Sequence, residues 1–327
     1  LLGWVFVPFY LRTGVYTMPE FLEKRYSKAC RSYLSVISIL AYVITKISLI
    51  IFAGALVFET IGIPFWTGAI ITVLATGFYT VLGGLKAVIY TDMVQAFILL
   101  IGTIAVTAFG LYALGGWDHM IDVITMASVQ EGNPPTEQFF NLWRPMADTE
   151  YTWTGMLFGA PILGVWYWCT DQYIVQRTLS AKDVNNARKG ALFAGYLKLL
   201  PVFIFFIPGV IAYALLQEGR IDFSMENADQ ALPAMINGFL PSGLKGLAIA
   251  GLLAALMSSL SSAFNSSSTL LTIDFYQKYK PKATQKDLVR FGRIATVVLV
   301  VVSLGWIPFM KSLMGGGIFH YLQSVQA

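Results

Sequence analysis

The chain has 327 residues, 56% of them hydrophobic and only 12% charged, with 22 Lys and Arg against 18 Asp and Glu. Soluble domains carry about 25% charged residues, so a soluble enzyme is excluded. A net charge of +4 points to nucleic acid only where basic side chains gather on one solvated face, and here they are spread along the chain.

A membrane-spanning helix needs about 20 mainly apolar residues. The chain opens in a partial run, 1–11, and full-length runs come after it at about 33–58, 66–85, 87–115, 152–174, 191–216, 246–273 and 294–310. A second partial run, 317–327, closes it. The expectation is an all-α polytopic membrane protein with seven full spans and two partial ones. Because both ends lie inside apolar runs, the chain reads as a fragment of a larger membrane protein.

The segments between the runs alternate in charge. Arg12, Lys24, Arg25, Lys28 and Arg31 come first, then Lys86 alone, then Arg177, Lys182, Arg188 and Lys189. The last basic segment holds Lys278, Lys280, Lys282, Lys286, Arg290 and Arg293. Between them lie Glu59, then Asp118, Asp122, Glu131, Glu137, Asp148 and Glu150, then Glu218, Asp222, Glu226 and Asp229. The positive-inside rule puts the basic segments in the cytoplasm. Of the two long outer segments, 117–151 reads as a polar loop with Gly132-Asn133-Pro134-Pro135 as a turn. In the other, 217–242, Ala231 to Leu240 reads as a short interfacial helix.

Polar groups inside apolar spans are costly and usually face a cavity or another helix. Asp92, in the first turns of its span, complements the helix dipole; a place on a cation path is equally open. Gly164, Tyr167, Trp168 and Asp171 share one helical face below Ala160-Pro161, where the proline weakens the helix. Aromatics beside hydrogen-bonding groups suit a sugar ring or an organic cation, but an interfacial aromatic belt explains them too. Lys198 lies well inside a span, and Pro201 frees the carbonyl of Leu197. A functional ammonium is the stronger reading there, since snorkelling from mid-span is a long reach. Lys46 is similarly placed, and its role stays open.

The densest cluster is the stretch from Ala255 to Ser266. Positions 255, 258, 259, 262 and 266 fall on one helix face, collecting hydroxyl and carbonyl oxygens that suit a hard cation such as Na⁺. Close packing of small residues is the alternative. Cys30, Cys169, His119 and His320 are too scattered for a disulfide framework, zinc or haem.

The sequence resembles the sodium/solute symporter family, and within it the sodium–glucose cotransporter branch. The resemblance rests on 12–25 (RTGVYTMPEFLEKR), 83–92 (GGLKAVIYTD), 166–177 (WYWCTDQYIVQR), Tyr196-Leu197-Lys198, and the segment from Ala255 to Tyr276 with Asn265-Ser266-Ser267-Ser268. It implies a leucine-transporter-like fold of two inverted five-helix repeats, incomplete in this chain. Residues 1–327 would then be a single transmembrane transporter domain lacking the first core helix and the C-terminal helices.

By the same resemblance, Ala255 through its carbonyl and Ser258 and Ser259 through their hydroxyls would bind sodium. Asp92, Ser261 and Ser262 would form or border a second cation site. Lys198 and Gln323 would contact sugar hydroxyls, and Tyr167, with Trp168 beside it, would stack on the pyranose. Many sugar-transporting members carry a polar side chain where this chain has Gly164. The outer segments lack the cysteines of animal members, which implies a bacterial-type protein in the inner membrane.

The expected function is Na⁺-coupled symport of a sugar or cyclitol by alternating access, with no enzymatic chemistry. Na⁺ is the coupling ion. The partners are a small sugar or polyol and the lipid bilayer, without nucleic acid or an obligate protein partner. Symport of another small solute, such as an amino acid or carboxylate, and a transporter-like sensor module are the rival readings.

Overall fold

The computed structural model describes residues 1–59, 61–130, 143–147, 152–222 and 230–313, and among these the chain forms helices and no strand. In chain order they are α1 (residues 2–13), α2 (Met18–Arg25), α3 (Lys28–Glu59), α4 (65–83), α5 (85–114), α6 (Trp117–Gln130), α7 (155–170), α8 (Gln172–Leu179), α9 (Val184–Gln217), α10 (Ala231–Phe239), α11 (Ser242–Tyr279) and α12 (Gln285–Leu313). Apolar spans must satisfy their own backbone groups in hydrocarbon, and the helix does so within one segment. Many bulky side chains, Phe78, Phe97, Phe206 and Val301 among them, stand exposed on the outside of the bundle. On a soluble protein such a surface would aggregate; in a bilayer it is the lipid face.

The runs 66–85 and 87–115 are two helices meeting at Gly84, where φ 55° and ψ −158° break the helix. The Tyr79 hydroxyl donates to the carbonyl of Met257 at 2.9 Å, and the Ser258 hydroxyl donates to Asp92 at 2.5 Å. An unbroken helix would separate positions 79 and 92 by about 20 Å, too far for both to meet adjacent residues of α11. The chain therefore doubles back at Gly84. A Cβ on Gly83 would come within 2.1 Å of that of Ala87, so the turn requires both glycines. Gly84→Ala is expected to cost about 1–3 kcal/mol, read as a lower thermal unfolding midpoint in detergent. An unchanged midpoint would refute the turn.

The α4–α5 hairpin packs on α11. Gly251 approaches α5 so closely that a Cβ there would lie 3.0 Å from the Cα of Leu99. Small residues at such crossings let backbones meet, which is how membrane helices gain packing energy. One apolar core joins Ile47, Ile51 and Ala55 of α3, Ala69 and Val73 of α4, Leu260 and Phe264 of α11 and Leu299 of α12. A second joins α5, α6, the later part of α9, α10 and the start of α11.

Segment ends meet as the charge pattern requires. On the basic side, Asp274 near the end of α11 is 2% exposed and is held from two neighbours. Its Oδ1 accepts from Thr17 at 2.9 Å and from Arg31 Nε at 2.7 Å, and its Oδ2 accepts from Ser35 at 3.0 Å. Arg31 also donates to Glu23 at 2.6 Å, a contact that holds the Glu23 carboxyl below its usual range. On the acidic side, His119 of α6 meets Glu218, just past α9, at 2.6 Å.

One segment differs from expectation. The stretch at 117–151 begins not as a loop but as α6, which buries Met120 and Ile124 in the second core and Ala127 on the same face. Those three positions form an i, i+4, i+7 stripe masked by the polar residues between them. Gly132 to Pro135 lie outside the described residues. The short helix expected from Ala231 to Leu240 is α10.

Candidate functional site

The oxygen-rich face of α11 points into the bundle. Ser258 reaches Asp92 of α5, and Ser261 and Ser262 are fully buried. The hydroxyls of Ser261 and Ser262 both donate to the carbonyl of Ser258 at 2.9 Å, the back-bond a serine makes within its own helix. The carbonyl of Ser259 accepts from the Tyr173 hydroxyl of α8 at 3.2 Å. Ala255, half-buried, shares this face. Deeper along α11, Gln176 of α8 donates to Ser266 at 2.7 Å and accepts from Asn265 at 3.0 Å, which fixes α8 against the helix.

Asp92 has a second partner. Nη2 of Arg177 lies 2.6 Å from Asp92 Oδ2 and donates to Ser262 Oγ at 2.5 Å. Asp92, Ser258 and Ser262 thus form one cluster around a guanidinium supplied by α8.

The span at 152–174 is broken. Residues 166–170 close a wide turn in which the N–H of Asp171 bonds to the carbonyl of Trp166 at 3.1 Å, an i→i+5 turn of the kind frequent at functional sites. Asp171 is extended, with ψ 123°, and its side chain caps α8 by accepting from the N–H of Tyr173 at 3.1 Å. The carboxylate also accepts from the Tyr42 hydroxyl and pairs with Lys46, both on α3. The Lys46 ammonium lies 4.5 Å from the ring centre of Tyr42, 5.3 Å from that of Tyr167 and 4.3 Å from that of Tyr173. Three aromatic faces and a carboxylate are a full complement for one buried cation. Lys46 itself sits in another wide turn, Tyr42–Ile47.

A cavity of about 920 Å³ opens beside the break, lined by Trp4, Gly164, Trp168, Arg177 and Lys198 among others. That volume suits a small organic ligand. Lys198 ends the first part of α9 and is exposed, with its ammonium 4.9 Å from the ring centre of Trp168. A side chain at Gly164 would meet open space.

The structure therefore brings together Asp92, Ser258, Ser261 and Ser262 in one group, and Trp168 and Lys198 in another. Tyr167 stands apart from the cavity, edge-on to Trp168 at 5.0 Å and turned toward Lys46. Gln323 lies outside the described residues. Sequence reasoning missed the Lys46–Asp171 pair and the reach of Arg177 to Asp92. The signal was present as two acids and two bases inside or beside apolar runs, each needing a partner, but spacing alone could not assign the pairs.

The family model for the sodium:solute symporter family matches residues 1–327. Similar curated proteins include sodium/glucose cotransporter 1 of Oryctolagus cuniculus, 38% identical over 99% of this chain and 53% of that protein. The sodium/mannose cotransporter of Bos taurus is 40% identical over 99% of this chain and 58% of its own length. The chain spans about half the length of the curated relatives it matches. A solved structure of a Na⁺-coupled sialic acid symporter, substrate-bound and outward-open, aligns with a TM-score of 0.81. It covers 95% of this chain and 65% of that one at 22% identity, a match of fold.

Proposed function

The chain belongs to the sodium:solute symporter family, and from that premise we propose that it works in Na⁺-driven import of a sugar or cyclitol by alternating access. The observation that carries this reading is the meeting of a broken helix with an oxygen-lined one. The segment interrupted at Asp171 borders a ligand-sized cavity on one side, and through Tyr173 and Arg177 it touches Ser259 and Ser262 on the other. Residues 1–327 act as one transmembrane transporter domain, with its basic segments on the cytoplasmic side of a lipid bilayer. The lack of cysteine in the outer segments 117–151 and 217–242 supports a bacterial inner membrane.

In this reading Ala255, Ser258 and Ser259 supply oxygens to sodium, and Asp92, Ser261 and Ser262 supply a second cation position. Lys198 donates to sugar hydroxyls while Trp168 offers its face, with Gln323 a further contact and Tyr167 closing the site from the α3 side. The reaction moves solute and ion together and makes or breaks no covalent bond. Sodium drives it only by binding one orientation of the transporter more tightly than the other. The named solutes of the relatives, glucose and mannose, support a sugar.

The direct test is uptake of labelled glucose and mannose into proteoliposomes under an inward Na⁺ gradient, with inositol, proline and acetate as competitors. Uptake indifferent to Na⁺ would end the reading, and competition by proline or acetate alone would replace the sugar. Ser259→Ala is expected to raise the half-saturating Na⁺ concentration about tenfold, or about 1.4 kcal/mol, with a smaller change in sugar affinity. Equal sodium titrations of variant and parent would remove Ser259 from the ion site.

A further inference from the structure

Arg177 touches both halves of the site. Its guanidinium lies between Asp92 Oδ2 at 2.6 Å and Ser262 Oγ at 2.5 Å, while Ser258 holds the other carboxylate oxygen at 2.5 Å. Nη1 adds a bond to the carbonyl of Tyr173 at 3.2 Å. A carboxylate and the Ser262 hydroxyl thus converge on a single positive group tethered to α8, and Ser258 steadies the carboxylate from its other oxygen. The arginine is also the more accessible partner. The side chain of Arg177 is 31% exposed against 18% for Asp92, and it lines the adjoining cavity of about 920 Å³.

A guanidinium and a small metal cation meet the same electrostatic demand in different ways. The guanidinium brings donors in a planar fork, whereas a hard cation gathers oxygens around itself. Asp92 and Ser262 can serve either, but not both together, because the space between their oxygens is already taken by Nη2. We propose that Arg177 is a built-in competitor for Na⁺. Docked, it neutralises Asp92 and fills the Asp92–Ser258–Ser262 nest without an ion. When Na⁺ enters the nest, the guanidinium is displaced toward the cavity, so the ion and the arginine exchange one place.

The exchange gives the nest a reason to be stable in both conditions. An Asp92 left unpaired inside the membrane would be costly, and the arginine covers it whenever the ion is absent. It also lowers the apparent ion affinity, since every binding event must first undo two charge-assisted hydrogen bonds. The cost is that of reaching a competent state that is only partly populated.

This inference rests on reading Asp92 and Ser262 as a cation position, and the experiment separates the two. Na⁺ is titrated against the full-length transporter, with thermal unfolding as one readout and Na⁺-driven uptake as the other. Arg177→Gln is expected to lower the half-saturating Na⁺ concentration about tenfold and to show a larger Na⁺-dependent rise in unfolding temperature than the parent. Arg177→Lys, whose ammonium still pairs with Asp92, is expected to stay near the parent. Asp92→Asn removes this component of the titration in both the parent and the Arg177→Gln background. A half-saturating concentration unchanged or raised in Arg177→Gln overturns the competitor role, because an arginine that merely supports the fold gives that result. So does an Arg177→Gln protein that stays unfolded at every Na⁺ concentration, since the ion should take the guanidinium's place. If Asp92→Asn leaves the titration intact, the cation position itself is wrong.

Discussion

Asp171→Ala is expected to destabilise the protein by about 3–5 kcal/mol, the usual result of stranding one member of a buried ion pair. The Lys46 ammonium would remain among the rings of Tyr42, Tyr167 and Tyr173 with no anion. Tyr42 would lose its acceptor, and α8 would lose its cap. Asp171→Asn keeps an acceptor for the cap and for Tyr42 while removing the charge, so its cost isolates the ion pair. Pairing Asp171→Asn with Lys46→Met is expected to recover most of that cost, because replacing both charges is far cheaper than removing one. The measurement is thermal unfolding of the purified transporter in detergent. A double variant no better than Asp171→Asn alone would show that the charges are not coupled.

Asp274→Ala is the second large effect, at about 3 kcal/mol. The carboxylate holds three elements at the basic end of the bundle: Thr17 ahead of α2, Arg31 and Ser35 on α3, and α11 itself. The loss falls short of that at Asp171 because Arg31 keeps Glu23 and the carbonyl of Ile273 as partners. Arg31→Ala is expected to cost more than Glu23→Ala, since Asp274 is buried and Glu23 lies near the surface. The reverse order in unfolding midpoints would displace Asp274 from the centre of this network.

The bilayer makes much of the fold legible. Hydrocarbon forces each span to declare itself as a long apolar run, and the charge bias of the ends orients it. The pairing of Arg31 with Asp274 at one end and of His119 with Glu218 at the other brings together segment ends that the charge alternation puts on one side. Interruptions are harder to read. Pro161 resembles the weak point of its span, and just ahead of it the helix only widens, over Gly155–Gly159, without breaking. The break falls instead at Asp171, whose own carboxylate caps α8. An aspartate that ends one helix and starts another looks, in sequence, like any polar residue near the membrane surface.

Partner choice is the other limit. The hydroxyl face of α11 is readable from its spacing, because residues on one helix are related by a fixed rotation. Asp92 and Arg177 are 85 positions apart and Lys46 and Asp171 are 125 apart, so only the folded chain shows which base meets which acid. The wide turns at 42–47 and 166–170 add a local reason. Each shifts the rotation of the residues beyond it, so a regular helical wheel misplaces Lys46 and Tyr167.

The two limbs that meet at Gly84 share one wall, since Tyr79 of the first reaches Met257 and Leu99 of the second packs on Gly251. During synthesis such a pair is best delivered to the lipid as one object, with Lys86 left at the surface as the peg about which it folds. Travelling together, the limbs carry Tyr79 and Gln95 as neighbours, so two polar side chains cross the oil in one step and not in two.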